Sequence, residues 1–449
     1  MNEEPVMLQY LKRIGKSSYA LITILSAGLI ALLLYAFPPL WQTETNGNHG
    51  VKIFFADDIT PAYRKVIAMF NEEYRGKIRV ETINIPFSKF STNERKELFT
   101  RFFRTKNDQV DVFSVDEIWT ARFAKWCDPL GNYFPQDLKA NILESALQSC
   151  YFDSTLVAVP LFIDVGLMYY RKDFIDGLPN ANEVENELRK SITWDEFIRL
   201  GERFKNKRNP FYIFQADNYE GLMCSFTEMM AGLNDPLYSK NAFQLQSGGA
   251  EKAVSLMVNL VHKYGISPEI VTQLRENSSF TYCISHDGVF LRGWPNFERG
   301  LQDSTGKGSW GERWSMAPLP HFAGFPPVSI LGGWDLMISK YSLHKQEALT
   351  FVKFLLSKKV QEIMYEEGGY LPTNTEVYED KEFMSKNPDL RFYLGLLETG
   401  VHRPSLVDYT RISDIISYYI KLAIGQKMTP RAALAAAAAT IRNDDTYLR

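Results

Sequence analysis

Residues 157–173 read VAVPLFIDVGLMYYRKD, two β-prone apolar runs in immediate succession with a proline in the first and one carboxylate, Asp164, between them. Proline removes a ladder hydrogen bond and belongs at sheet edges and strand ends. A second strand pattern starting at once therefore predicts a chain that leaves one sheet near Pro160 and enters another. Asp164 then stands at the crossing among Phe162, Ile163, Val165 and Leu167, where an ionised carboxylate needs water or a partner. Two sheets imply two cores, in keeping with 449 residues, more than one core holds.

Upstream, strands and helices alternate. Residues 51–56, 77–85 and 110–115 carry strand patterns, and 61–74 and 93–103 repeat apolar residues at helical spacing. That order predicts a parallel α/β sheet with helices on both faces. Such sheets take ligands at their carboxyl ends. There lie Asp57 with Asp58, and Asp116 with Glu117; Trp119, three residues after Asp116, is expected on the same side of a helix.

Downstream, Thr193 and an acidic first turn open a helix, and 211–215 is a short strand. Tyr219 and Glu220 form a polar loop before an apolar helix at 222–231, and 249–264 is a further helix. A strand at 286–291 leads to Trp294, and 314–320 (WSMAPLP) resembles a second crossing. In ILGGWDLMI, Gly332 and Gly333 let the backbone approach closely while Trp334 projects. Residues 343–367 are expected as one long helix, and 409–425 and 429–442 as terminal helices.

Lys12, Arg13 and Lys16 precede an uncharged stretch, 17–43, with an apolar centre long enough to cross a bilayer. The charge bias predicts a cytoplasmic tail at 1–18, a transmembrane anchor at 19–41, a linker at 42–50, and everything after about residue 43 extracytoplasmic at the cell membrane. A cleaved signal is the rival; the absence of a small-x-small site before Pro38 favours the anchor. Outside the membrane disulfides are permitted. The order of Cys127, Cys150, Cys224 and Cys283 suggests pairing first with second and third with fourth, with four buried free thiols as the alternative.

A balance of 50 basic against 53 acidic residues speaks against a nucleic-acid partner. The histidines are scattered without HExxH or zinc spacing, GxSxG is missing, and Gly306 to Ser309 lacks a P-loop's spacing and strand, so no metal or cofactor is expected. What remains is carboxylates, arginine and indoles. Carboxylates accept from vicinal hydroxyls, arginine donates to sugar oxygens, and flat rings cover the C–H faces of pyranoses. Trp294 and Trp334, each in a glycine-flanked turn, are the candidate stacking rings.

In order, VDVFSVDEIW, VAVPLFIDVGLMYYRKD, TWDEF, YEGLMCSF, GVFLRGWPN, MAPLP, ILGGWDLMISKYS, GGYLPT and HRPSLVDY resemble the extracellular solute-binding proteins of ABC importers, most of all the maltose/trehalose-binding branch. The resemblance runs from Val51 to the C-terminus. It implies an α/β, two-lobed, type II periplasmic-binding-protein-like fold, here preceded by the transmembrane helix. Lobe 1 would comprise 50–162 plus 319–358, and lobe 2 163–318 plus 359–449. The binding lobes, expected to be monomeric, would close on a sugar and present it to the permease's transmembrane subunits. By motif, the sugar-facing acids fall on Asp58 or Asp57, on Asp116 and on Asp164, the stacking indoles on Trp294 and Trp334 beside Gly333, and the late arginine on Arg403. Phe162 stands where relatives often carry tyrosine, and Tyr219 and Glu220 rest on YEGL alone. A retained anchor departs from relatives that are freed or lipid-anchored. The short tail holds no signalling domain, which favours transport over sensing; a glycosidase using two of Asp116, Asp164 and Glu220 is a third reading.

Overall fold

The structure, a computed structural model, describes residues 50–86, 89, 92–106, 108–204, 209–297 and 313–447. The expected tail, anchor and most of the linker, and the turn at Gly306, lie outside the described residues.

Five strands build the first sheet. β1 (Val51–Asp57), β2 (Ile78–Asn84) and β3 (Val112–Asp116) run parallel, separated in sequence by α1 (Pro61–Glu73) and α2 (Thr92–Arg104). β4 (Val159–Val165) follows, and the chain passes through Gly166 into β5 (Leu167–Arg171). β5 belongs to the second sheet, ordered β8-β5-β7-β6, with β6 (Tyr212–Ile213), β7 (Phe290–Gly293) and β8 (Trp314–Ala317). The chain then re-enters the first sheet as β9 (Leu331–Ile338), antiparallel to both β3 and β4, so the order there is β2-β1-β3-β9-β4. The first sheet is therefore mixed; only its β2-β1-β3 half is parallel.

The crossing lies at Gly166, not at Pro160. Pro160 sits inside β4, which is an edge strand, and the register against β9 shifts between Trp334 and Asp335, leaving Leu161 without an opposite number. Side chains complete the hydrogen bonds the irregularity frees: Thr373 Oγ1 donates to Pro160 O at 3.0 Å and Gln361 Nε2 to Leu161 O at 2.9 Å. At Gly166 a Cβ would stand 3.0 Å from Arg292 Nη2 and 3.1 Å from Glu228 Oε2, so the chain switches sheets where only glycine clears a buried ion pair. The WSMAPLP segment likewise begins as a strand, β8, and the second crossing is the stretch after it, 318–330.

Helices cover both sheets. Thr193 caps α3 (Trp194–Glu202) through a complete capping box with Glu196. α4 (Glu220–Ala231), α5 (Gly248–His262), α9 (Tyr409–Ile424) and α10 (Pro430–Tyr447) share a core with the second sheet, and α6 (Glu276–Ser285) packs on β7. The single helix expected over 343–367 is two, α7 (Lys345–Leu355) and α8 (Lys358–Gly368). The break is chemically specified: Ser357 Oγ donates to Phe354 O, Gln361 Nε2 to Leu355 O and Asn374 Nδ2 to Leu356 O, so three C-terminal carbonyls find side-chain donors. Both helices pack on the first core through Phe351, Val352, Val360 and Met364. A third cluster joins Ile163, Val165, Leu167 and Tyr169 of the crossover to Leu331, Leu390, Tyr393 and Leu397. The crossing is thus packed rather than a bare linker.

The four cysteines are free and buried, which corrects the suggested disulfides. Cys127 Sγ donates to Phe123 O at 3.3 Å and contacts Met337 Sδ, Cys150 lies against Ala146 O and Ser149, and Cys283 packs beneath Gly288. Each thiol is committed to its own packing site, and burial pushes all four above the usual thiol range.

Candidate functional site

A cleft with a cavity of about 800 Å³ opens between the two sheets, and a second chamber of about 360 Å³ adjoins it at Asp164, Asn277 and Trp334. Strand ends supply one part of its wall. β3 ends on Asp116, β4 carries Asp164 near its end, and β9 brings Gly332, Gly333 and Trp334 directly opposite them: Trp334 pairs with Asp116 and Phe162, and Gly332 with Asp164. From the second lobe come Trp294 just after β7, Tyr219 and Glu220 at the start of α4, and Asn277 in the first turn of α6.

The double glycine has two separate jobs. Gly333 has φ +144° and a Cβ there would strike Phe162 O at 2.6 Å, so β9 reaches this register only with glycine. A Cβ on Gly332 would meet Trp294 Cζ3 at 3.2 Å. The absence of that Cβ lets an indole from one lobe rest against the backbone of the other.

Both indoles are backed by buried guanidinium groups. Arg95, 0% exposed, places Cζ 4.8 Å from the Trp334 ring centroid and donates to Asp57 Oδ1 at 2.8 Å. Arg292, also 0% exposed, lies 4.4 Å from the Trp294 centroid and pairs with Glu228 at 3.2 Å. Trp119, itself 0% exposed, meets Trp334 edge-on with centroids 6.1 Å apart. It sits in a 3-10 turn and buttresses the neighbouring indole instead of presenting a face of its own. Asp57 likewise serves Arg95 and the Asp58 backbone, while Asp58 lines the adjoining chamber with Tyr63, Phe162 and Tyr370. The Phe162 ring packs on Tyr370 at 4.7 Å.

Arg403 ties the two lobes' carboxylates together. Its Nη1 donates to Glu220 Oε1 at 3.0 Å, and Nη2 to Glu117 Oε1 at 3.2 Å and Asp116 Oδ1 at 3.3 Å. Glu220 also accepts from Tyr409 and Ser413, and His402 Nδ1 lies 2.9 Å from Glu117 Oε2. Two of the three acids a glycosidase would draw on, Asp116 and Glu220, are therefore held by one guanidinium. Burial works against the Glu117 charge, but His402 and Arg403 overcome it and hold the carboxyl below its usual range. Burial wins at Asp116, raising it to about 6 despite Arg403.

Asp164 differs from all of these. It accepts no hydrogen bond from any described residue, and burial, with Asp116 and Glu117 nearby, raises it to about 7. The cleft thus brings together every acid, indole and arginine singled out in the sequence, but divides them. All of them line one chamber or the other, but Asp57, Glu220 and Arg403 are also tied to protein partners and Trp119 is fully buried against Trp334, whereas Asp164 has no donor among the described residues. Tyr219 folds over Gly221, whose Cβ would stand 2.3 Å from Tyr219 Cζ, and Arg275 lies 5.4 Å from the Tyr219 ring centroid. Sequence reasoning missed Arg95, Arg292, His402, Tyr370 and Asn277. Tyr370, His402 and Arg292 lay within noted motifs, GGYLPT, HRPSLVDY and GVFLRGWPN; nothing local marked Arg95.

Comparison with known proteins agrees with this architecture. The chain is 27% identical over 355 residues to a probable ABC transporter-binding protein of Deinococcus radiodurans, covering 76% of this chain and 82% of that one. Maltose-bound MalE3 of T. maritima superposes with TM-score 0.76 at 29% identity, covering 88% of this chain and 99% of that one. The sugar-binding protein MalE from Xanthomonas citri has the same fold, with TM-score 0.72 at 20% identity over 87% and 96% of the two chains. The family model for bacterial extracellular solute-binding proteins matches residues 56–362, and the chain belongs to that family.

Proposed function

We propose that this chain is the extracytoplasmic substrate-binding component of an ABC sugar importer. It holds an α-glucoside such as maltose, trehalose or a short oligosaccharide between its lobes, and the closed form delivers the sugar to the permease. The observation that carries the reading is the pair of partly exposed indoles lining one cavity with Asp164: Trp334 from the first sheet, and Trp294 from the second, which rests against Gly332. Rings on opposite walls suit the two faces of a glycosyl unit, and carboxylates between them suit its hydroxyls. The 29% identity to maltose-bound MalE3 across nearly the whole of that chain favours the same ligand class. Tethering by the helix at 19–41 would keep the lobes beside the permease. Calorimetric titration of residues 50–449 with maltose, trehalose and maltodextrins tests the proposal. Binding that falls about tenfold or more in Trp334→Ala and Trp294→Ala is expected, on the order of the loss of one stacked ring with its buried area. No heat from any sugar in the panel sinks the reading, and turnover of an α-glucoside on long incubation would redirect it to the glycosidase.

A further inference from the structure

The inner wall of the cleft carries more negative charge than its cations answer. Asp116, Glu117, Glu220 and Asp164 stand there against Arg403 and His402. The two guanidiniums behind the indoles do not alter the balance, since Arg95 is matched by Asp57 and Arg292 by Glu228. Every member of the inner set except Asp164 has a cationic partner within hydrogen-bond reach. Asp164 has no donor among the described residues, its Cβ and the Trp294 ring both lie against Gly332, and Trp334 lines the same cavity; the π-face of an indole favours a cation. Hydroxyls could meet such a carboxylate, but a hydroxyl brings no charge to offset it.

We infer that the cleft selects a glycoside bearing a protonated amine, with Asp164 as the ammonium's counter-ion and Trp334 and Trp294 flanking it. This rests on the sugar-binding reading and narrows it to amino sugars and amino-substituted oligosaccharides. The ionisable groups around Asp164 are Asp116 and Glu117 after β3, His402 and Arg403 before α9, Tyr219 and Glu220 at the start of α4, Arg275 and Glu276 at α6, Asp414 on α9, Tyr370 after α8, Asp57, Asp58 and Tyr63 in the adjoining chamber, and one further cation, the exposed Lys89. Arg275 and Lys421 both reach Asp217, at 2.7 and 2.6 Å, and Arg403 is shared among three carboxylates; none of these cations stands within hydrogen-bond reach of Asp164. Without ligand, Asp164 relieves its isolation by taking up a proton, reaching half-occupancy at about pH 7. An ammonium takes the proton's place, and the proton leaves to buffer.

The test is isothermal titration of the full-length protein with maltose, trehalose and the monoamino derivatives of each, at about pH 7 in two buffers of different ionisation enthalpy. At least one monoamino sugar should bind roughly tenfold or more tighter than its parent, as a charge-assisted hydrogen bond would give. Its binding should release about half a proton, as linkage to a half-titrated carboxyl requires. Asp164→Asn, with its folding checked by thermal melting, should abolish both the preference and the release; should that variant not fold, the two-buffer measurement on the unmodified protein decides. If the parents bind and no amine exceeds its parent, or if the amine binds without releasing a proton, the inference is overturned and the sugar-binding reading stands. If neither parents nor amines bind, both fall.

Discussion

Replacing Arg403 by glutamine removes the guanidinium that Asp116, Glu117 and Glu220 share. The Arg403 and Glu117 side chains are each 4% exposed, while Asp116 and Glu220 are 17% and 18% exposed. Breaking a buried pair by deleting one partner costs about 3–5 kcal/mol. Here His402 still answers Glu117, Tyr409 and Ser413 still donate to Glu220, and water reaches Asp116 in part, so a loss of about 3 kcal/mol, at the lower end, is expected. The sign of the pH dependence follows from the orphaned acids. Asp116 already stands at about 6 with the cation present, above an unfolded carboxylate, and losing Arg403 can only raise it further. A carboxyl whose folded value is raised destabilises the fold while ionised and is relieved as pH falls through that value. The deficit of Arg403→Gln should therefore be largest at about pH 8 and shrink toward about pH 5, reached by both proteins with Asp116 protonated. Urea unfolding of residues 50–449, followed by tryptophan fluorescence at both pH values, measures it. A deficit below about 1 kcal/mol, or one equal at the two pH values, would refute the account of Arg403 as the cation that holds these acids together. Arg403→Lys keeps the charge but loses the fork and should fall between.

The unmodified protein should itself grow more stable from about pH 8 to about pH 6, because Asp164 and Asp335 at about 7 and Asp116 at about 6 are all raised by burial; a flat or falling calorimetric profile contradicts this. Below the usual carboxylate range the trend should reverse, as protonating Glu117 forfeits its pairing with His402 and Arg403. Gly333→Ala, at φ +144° and with a Cβ 2.6 Å from Phe162 O, should cost about 3 kcal/mol or more in denaturant unfolding, whereas Gly131→Ala, with nothing within 4 Å, should change stability by less than about 0.5 kcal/mol. Maleimide labelling without reductant should modify all four cysteines in denaturant and almost none in the native state; two or fewer labels after unfolding would restore the disulfide reading. Mass spectrometry of the cell-derived protein should find residues 1–41 retained, and a mature N-terminus after the apolar stretch would identify a cleaved signal instead.

Patterns with short reach were legible in the chain. The strand and helix periods at 51–115, the capping box at Thr193 and the demand of Gly333 for a side-chain-free backbone are local, and each appears where its residues stand. The two-sheet architecture was legible too, because two β-prone runs in immediate succession have few other solutions. The point of crossing was not. Pro160 signalled a strand end by its missing donor, yet Thr373 and Gln361, about two hundred residues away, accommodate the irregularity inside the strand. The same kind of distant donor, Asn374, helps break the helix expected over 343–367.

For the site, residue types and positions along the chain selected the acids and the indoles, and the family resemblance added the late arginine. Which of them are paired within the protein and which are not came only from tertiary structure. Asp57 and Asp164 are both carboxylates after apolar strand residues, and no neighbour in sequence distinguishes them. Arg95, from α2, folds onto Asp57 and neutralises it, while no described residue donates to Asp164. Burial and pairing are properties of groups brought together from distant parts of the chain, so they are decided when the sheets close on each other. Backbone period and steric allowance belong to neighbouring residues, and those the chain carries in its own order.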